Sequence, residues 1–165
     1  MRAQRFNENG FTLIEAMVSV AIMSILLAVA VPSFSESRLS SQLRASSSSL
    51  LASISLARSE AIKRNAPVML CVSSDGQVCA AGGWEQGWIV VRGTEVIQNQ
   101  SAASNGFRII EAAGATAITF DPTGIGATPA SLKICRSTSS PAHERVVTVD
   151  AAGRASTRRT TSGTC

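Results

Sequence analysis

Four cysteines, a single histidine and one carboxylate inside an apolar run are the residues of this 165-residue chain whose chemistry is most specific. Cys71, Cys79, Cys135 and Cys165 all follow the apolar stretch, and none has the C-x-x-C spacing of a zinc or thioredoxin-like site. Disulfides in an oxidising compartment are the chemistry that fits. Four cysteines leave three connectivities open; loop-closure entropy, which rises with length, favours a short Cys71–Cys79 loop with Cys135 tying down Cys165. His143 is the sole histidine, so a histidine metal cluster is excluded and any nucleophile–base pair would rest on that residue, which stands beside Pro141 and Glu144 in a loop-like stretch. There is no P-loop, and Gly124-Ile125-Gly126 lacks the strand-to-helix setting of a dinucleotide site. The expectation is a protein without enzymatic activity, cofactor or metal.

Glu15 is the only charge in residues 11–31, FTLIEAMVSVAIMSILLAVAV, which as a helix is long enough to cross the ~30 Å hydrocarbon layer. Arg2 and Arg5 precede it, so the positive-inside rule leaves the N-terminus in the cytoplasm and the cysteines outside. A secretory signal peptide cut after Ala28-Val29-Ala30 is the competing reading. Against it stand a run longer than the ~7–15 residues of a signal core and a carboxylate for which a signal peptide has no use.

The elements that position these residues follow from pattern. After Pro32, Leu39, Leu43, Leu50, Ile54, Ala57, Ala61 and Ile62 recur at helical spacing, so a second, amphipathic half-helix is expected to end near Asn65-Ala66-Pro67. Pro32 should kink or loosen the helix between the halves, and Ser46 to Ser49 read as a polar patch on it. From Pro67 the chain turns to short β-rich runs, PVMLCV, GWIVVR, EVIQ, FRII, AITF, LKIC, RVVTV and ASTRR, divided by Gly, Pro, Asn and Asp. An α+β protein is expected: a long N-terminal helix packed on an antiparallel β domain, with Trp88 as a core or edge aromatic.

Fifteen basic against eleven acidic residues leave a net charge of +4, too little to define a nucleic-acid binder. Residues 132–165, with Lys133, Arg136, Arg145, Arg154, Arg158 and Arg159 against Glu144 and Asp150, hold the whole excess. The bland reading is a solvated basic edge that discourages sheet-to-sheet pairing.

Gly10-Phe11-Thr12-Leu13-Ile14-Glu15 resembles the signature of the type IV pilin superfamily. The resemblance implies cleavage by a prepilin peptidase after Gly10, N-methylation of Phe11, and a role for Glu15 in assembly. It divides the chain into a leader (1–10), a transmembrane and filament-core half-helix (11–31), an amphipathic half-helix (32–65) and a periplasmic or extracellular β domain (66–165). Ala57-Arg58-Ser59-Glu60-Ala61-Ile62-Lys63-Arg64, Val68 to Cys71 and Gly87-Trp88 look like the GspH/FimT branch of minor pilins (FimT/FimU type) and pseudopilins. The implied protein is a minor type IV pilin of a priming or tip complex, held in the inner membrane before assembly, with other major and minor pilins or pseudopilins as partners. A minor pseudopilin of type II secretion is an alternative, and a DNA-binding pilin for natural transformation is another. FimT-like pilins carry Gly-Arg-x-Arg near the C-terminus; Gly153-Arg154 matches its first half, while Ser156 replaces the second Arg. Candidate DNA contacts are therefore Arg154, Arg158 and Arg159, with Arg136 and Arg145 nearby; Arg38 and Arg44 on the helix are expected to stand apart from them.

Overall fold

The computed structural model describes residues 12–136, 144–162 and 165. Gly10, Phe11 and His143 lie outside the described residues. The chain divides into two compact units, Met1–Arg38 and Leu39–Cys165.

Helix α1 (Leu13–Arg64) opens at Thr12, whose hydroxyl accepts the Glu15 N–H at 3.3 Å and whose carbonyl accepts that of Ala16 at 3.1 Å. Thr-x-x-Glu is capping-box spacing, and the acid sits in the first turn, where the helix dipole favours negative charge. Pro32 does not interrupt α1: its missing donor costs one hydrogen bond in a helix of 52 residues. In the first unit, Leu13, Ile14, Met17, Val18, Val20, Ile22, Met23, Ile25, Leu26 and Leu27 expose apolar surface at every angle around the axis. Among the described residues no helix is long and apolar enough to cross a membrane. The described side chains of the apolar run, Leu13 to Ala28, cover about 24 Å of axis, short of the ~30 Å a bilayer core requires.

In the second unit the face of α1 carrying Leu43, Leu50, Ile54, Ala57 and Ala61 is buried in the core. Ile62, expected on that face, is half exposed, because one residue beyond Ala61 is a turn of about 100° around the helix. Ser47 and Ser53 are buried instead: Ser47 donates to the Arg44 carbonyl at 2.9 Å, and the Ser53 hydroxyl accepts Trp88 Nε1–H at 3.0 Å. The helix ends in a Schellman motif. Asn65, at φ 47°, donates to the Ile62 carbonyl, and Ala66 donates to that of Ala61.

Eight strands follow: β1 (Val68–Val72), β2 (Gly87–Arg92), β3 (Glu95–Ser101), β4 (Phe107–Glu111), β5 (Ala117–Phe120), β6 (Ala130–Arg136), β7 (Glu144–Val149) and β8 (Ala155–Thr160). They form two antiparallel sheets, in the orders β3-β2-β1-β5 and β4-β6-β7-β8. One core receives alternate residues of both, among them Leu70, Val90, Ile118, Leu132 and Val147, together with the helix face. On the first sheet, Cys71, Ile89 and Val91 make a second small cluster with Met69 and Ala117. Trp88 is buried, as is Trp84, which lies in a 3-10 turn (Trp84–Gln86) and donates Nε1–H to the Ala115 carbonyl at 2.8 Å. Gly87 must be glycine, because it sits at φ 113° and a Cβ there would lie 2.6 Å from the Gln100 carbonyl oxygen.

Candidate functional site

The residues of the Ala57 to Arg64 stretch hold the helix end to the β domain. The Arg58 guanidinium donates twice to the Gly124 carbonyl, at 3.0 and 2.8 Å. Glu60 is nearly buried and accepts from Lys63 and Arg64, and Arg64 reaches on to Glu95 of the β2–β3 hairpin at 2.7 Å. The Arg64 hydrogen bond is the main force holding the Glu60 carboxyl below its usual range, against a desolvation that pushes it up. The Ala57 to Arg64 stretch thus has a packing role: Arg58 satisfies a loop carbonyl, and Glu60 holds Arg64, which in turn reaches Glu95 on β3.

Cys71 is joined to Cys79 and Cys135 to Cys165, with Cα separations of 5.6 and 5.9 Å. The second bridge anchors the chain end beside a buried carboxylate, Glu144. This residue does not lie in a loop, as its neighbours His143 and Pro141 suggested; it opens β7. Its Oε2 accepts from the Thr160 hydroxyl at 3.1 Å and from the Ser162 N–H and hydroxyl at 3.1 and 2.8 Å. Glu111 plays the same part at the β4–β5 loop, taking the N–H groups of Ala113, Ala115 and Ser131.

Burial pushes both carboxyls up, but the hydrogen bonds outweigh it and leave both below the ordinary range: from Ala115, Ser131 and Ala113 on Glu111, and from Ser162 and Thr160 on Glu144. Carboxyls depressed in the fold stabilise it above their unfolded value of about 4.3, and that contribution disappears as pH falls through the folded values. Thermal stability should therefore be flat from neutrality to about pH 5 and fall below about 4. In a pH series of melts, Glu111→Gln should give a shallower acid limb than the parent.

The candidate basic residues do not form one patch. Side chains alternate along a strand, so Arg158, paired with Val146, and Arg159, paired with Arg145, point to opposite faces of the second sheet. Arg145 and Arg159 share the parity of Val147 and Val149, the core side, as does Arg136 at the end of β6. Arg154 stands in the β7–β8 turn, ion-paired with Asp150 at 3.0 Å. Arg44, expected apart from the set, lies close enough for its charge to act on Arg145. That guanidinium is held below its ordinary range first by burial, then by Arg159 and Arg44. Sequence spacing could not show this grouping, which depends on strand register and on the helix crossing the sheet.

Comparison with known proteins agrees with this architecture. Residues 46–153 match the family profile described as type II transport protein GspH, and residues 5–31 match the prokaryotic N-terminal methylation motif. No curated protein matches the chain. Among solved structures, the chain is similar to the type IV minor pilin FimU of Pseudomonas aeruginosa, with a TM-score of 0.59 at 18% identity over 72% of this chain and 89% of that one. It is also similar to the minor pseudopilin EpsH of the Vibrio cholerae type 2 secretion system, with a TM-score of 0.56 at 18% identity over 72% and 97%. With the methylation motif at its N-terminus and more than half its length matched, the chain belongs to the GspH family, described as type II transport protein GspH, on a fold shared with these two structures.

Proposed function

We propose that the chain is a structural subunit of a type IV pilus, a minor pilin of the priming or tip complex, without catalytic activity of its own. It is made as an inner-membrane precursor, cut by a prepilin peptidase between Gly10 and Phe11 and methylated on Phe11. Residues 11–31 hold it in the membrane and then in the filament core; residues 32–65 and 66–165 face the periplasm and later the exterior. The observation that carries this reading is the helix from Leu13 to Leu27, apolar on every side and exposed, within the matched methylation motif. A helix apolar all round needs lipid or other helices around it. Over 21 residues the run reaches about 31 Å, enough for a hydrocarbon core.

A second reading, a minor pseudopilin of a type II secretion system, is favoured by the matched family's description as a type II transport protein. In both, Glu15 is the one carboxylate of the apolar segment, and the amine of Phe11 freed by cleavage, its own or a neighbour's, is its counter-charge. Glu15→Leu should leave the protein in the membrane fraction but lower its amount in sheared filaments at least about tenfold, because losing one member of a desolvated charge pair costs ~2–5 kcal/mol. Immunoblots of the two fractions read this directly. Undiminished incorporation would remove Glu15 from the assembly mechanism.

A further inference from the structure

We propose that Arg44, Arg145 and Arg159 form a docking point for a surface carboxylate of a neighbouring, non-identical subunit. Arg145 and Arg159 are direct cross-strand partners, and like charges in that position destabilise a sheet pair unless an anion joins them. Arg44 brings a third guanidinium from the helix; its neighbour Leu43 is buried in the core, which fixes that stretch of α1 against the sheets. Among the described residues no carboxylate pairs with any of the three. Arg is the side chain suited to bidentate carboxylate recognition.

The anion is compact rather than a polyanion. A nucleic-acid backbone needs a run of phosphate contacts, whereas Arg158 faces the opposite side of the sheet and Arg154 is neutralised by Asp150. The carboxylate comes from a different chain because this one has few to offer. Glu60, Glu95 and Asp150 are held by its own arginines, Asp75 by its own loop, Glu85 by the Ile109 N–H, and Glu111 and Glu144 are buried, which leaves, among the described residues beyond the apolar run, only Glu36 and Asp121 exposed and unpaired. The proposal rests on the filament-subunit reading only for the partner being another subunit.

The test uses the full chain in neutral detergent, with a fluorescent hexaglutamate peptide and a mixed-sequence 12-base-pair duplex as probes, followed by anisotropy. Peptide binding should be saturable, about tenfold or more weaker in R44Q/R145Q/R159Q, and within about twofold of the parent in R154Q/R158Q, since charge-assisted bidentate bonds carry it. The triple variant should melt no earlier than the parent, having lost only repulsion. If it melts earlier, exposed R159Q decides: weakening of about threefold supports the site, and unchanged affinity overturns it. Absence of peptide binding, equal binding by the triple variant, or duplex binding lost in R154Q/R158Q would each overturn the proposal. Self-association of the parent abolished by the triple variant would overturn the non-identical partner. Leader processing is not involved, so failure here and failure of the filament reading are distinguishable.

Discussion

Replacing Trp88 by Ala should cost about 3–5 kcal/mol of stability, the range for removing a buried aromatic side chain. Trp88 fills the core between sheet and helix, and its indole N–H is the partner of the buried Ser53 hydroxyl, so truncation opens a cavity and orphans a polar group together. Trp88→Phe should cost less. Urea titration of the full chain in detergent reports both variants, with Trp84 as the remaining fluorophore. Since domains of this kind have only about 5–15 kcal/mol in hand, the Ala variant should be scarce in cells. Equal stability of parent and Ala variant would mean that the helix does not seal the core at this point.

The second large effect concerns the chain end. The Cys135–Cys165 bridge spans 30 residues and Cys71–Cys79 spans 8. Loop entropy assigns roughly 3.5 kcal/mol to the longer loop and roughly 2.5 to the shorter. The double variant Cys135→Ser/Cys165→Ser should therefore lower the melting temperature more than Cys71→Ser/Cys79→Ser. Its tail should also be cut first in limited proteolysis, though Glu144 still holds Thr160 and Ser162. Reversal of that order in paired melts would show that the tail is held by Glu144 rather than by the bridge.

Much of this fold is legible in residue order because its signals are local. Each of the eight β-rich runs becomes a strand, since alternation bounded by Gly, Asn, Asp and Pro is a property of six or seven residues. The helix end is equally local: Asn65 takes the left-handed position and Pro67 cannot continue the helix. What escaped is non-local. Strand spacing does not reveal that β4 leaves its neighbours to join β6 in a second sheet, because that choice is made by pairing across more than twenty residues. Nor does charge counting reveal faces. Arg158 and Arg159 are adjacent in sequence yet lie on opposite sides of a sheet, and Arg44 joins Arg145 across a hundred residues. Glu144 was masked by its loop-like neighbours; only the strand and the tail folded over it show why a carboxylate is there.

On the proposed function, the apolar helix belongs to a precursor that is cut at Gly10 and enters a filament through its new N-terminus. Intact-mass and N-terminal peptide mass spectrometry of the protein recovered from membranes tests it most directly. The expected species is a chain beginning at Phe11 and carrying one methyl group on its amine. A chain beginning at Met1 in cells with an active prepilin peptidase, or one beginning at Val31 after signal-peptide cleavage, would contradict it.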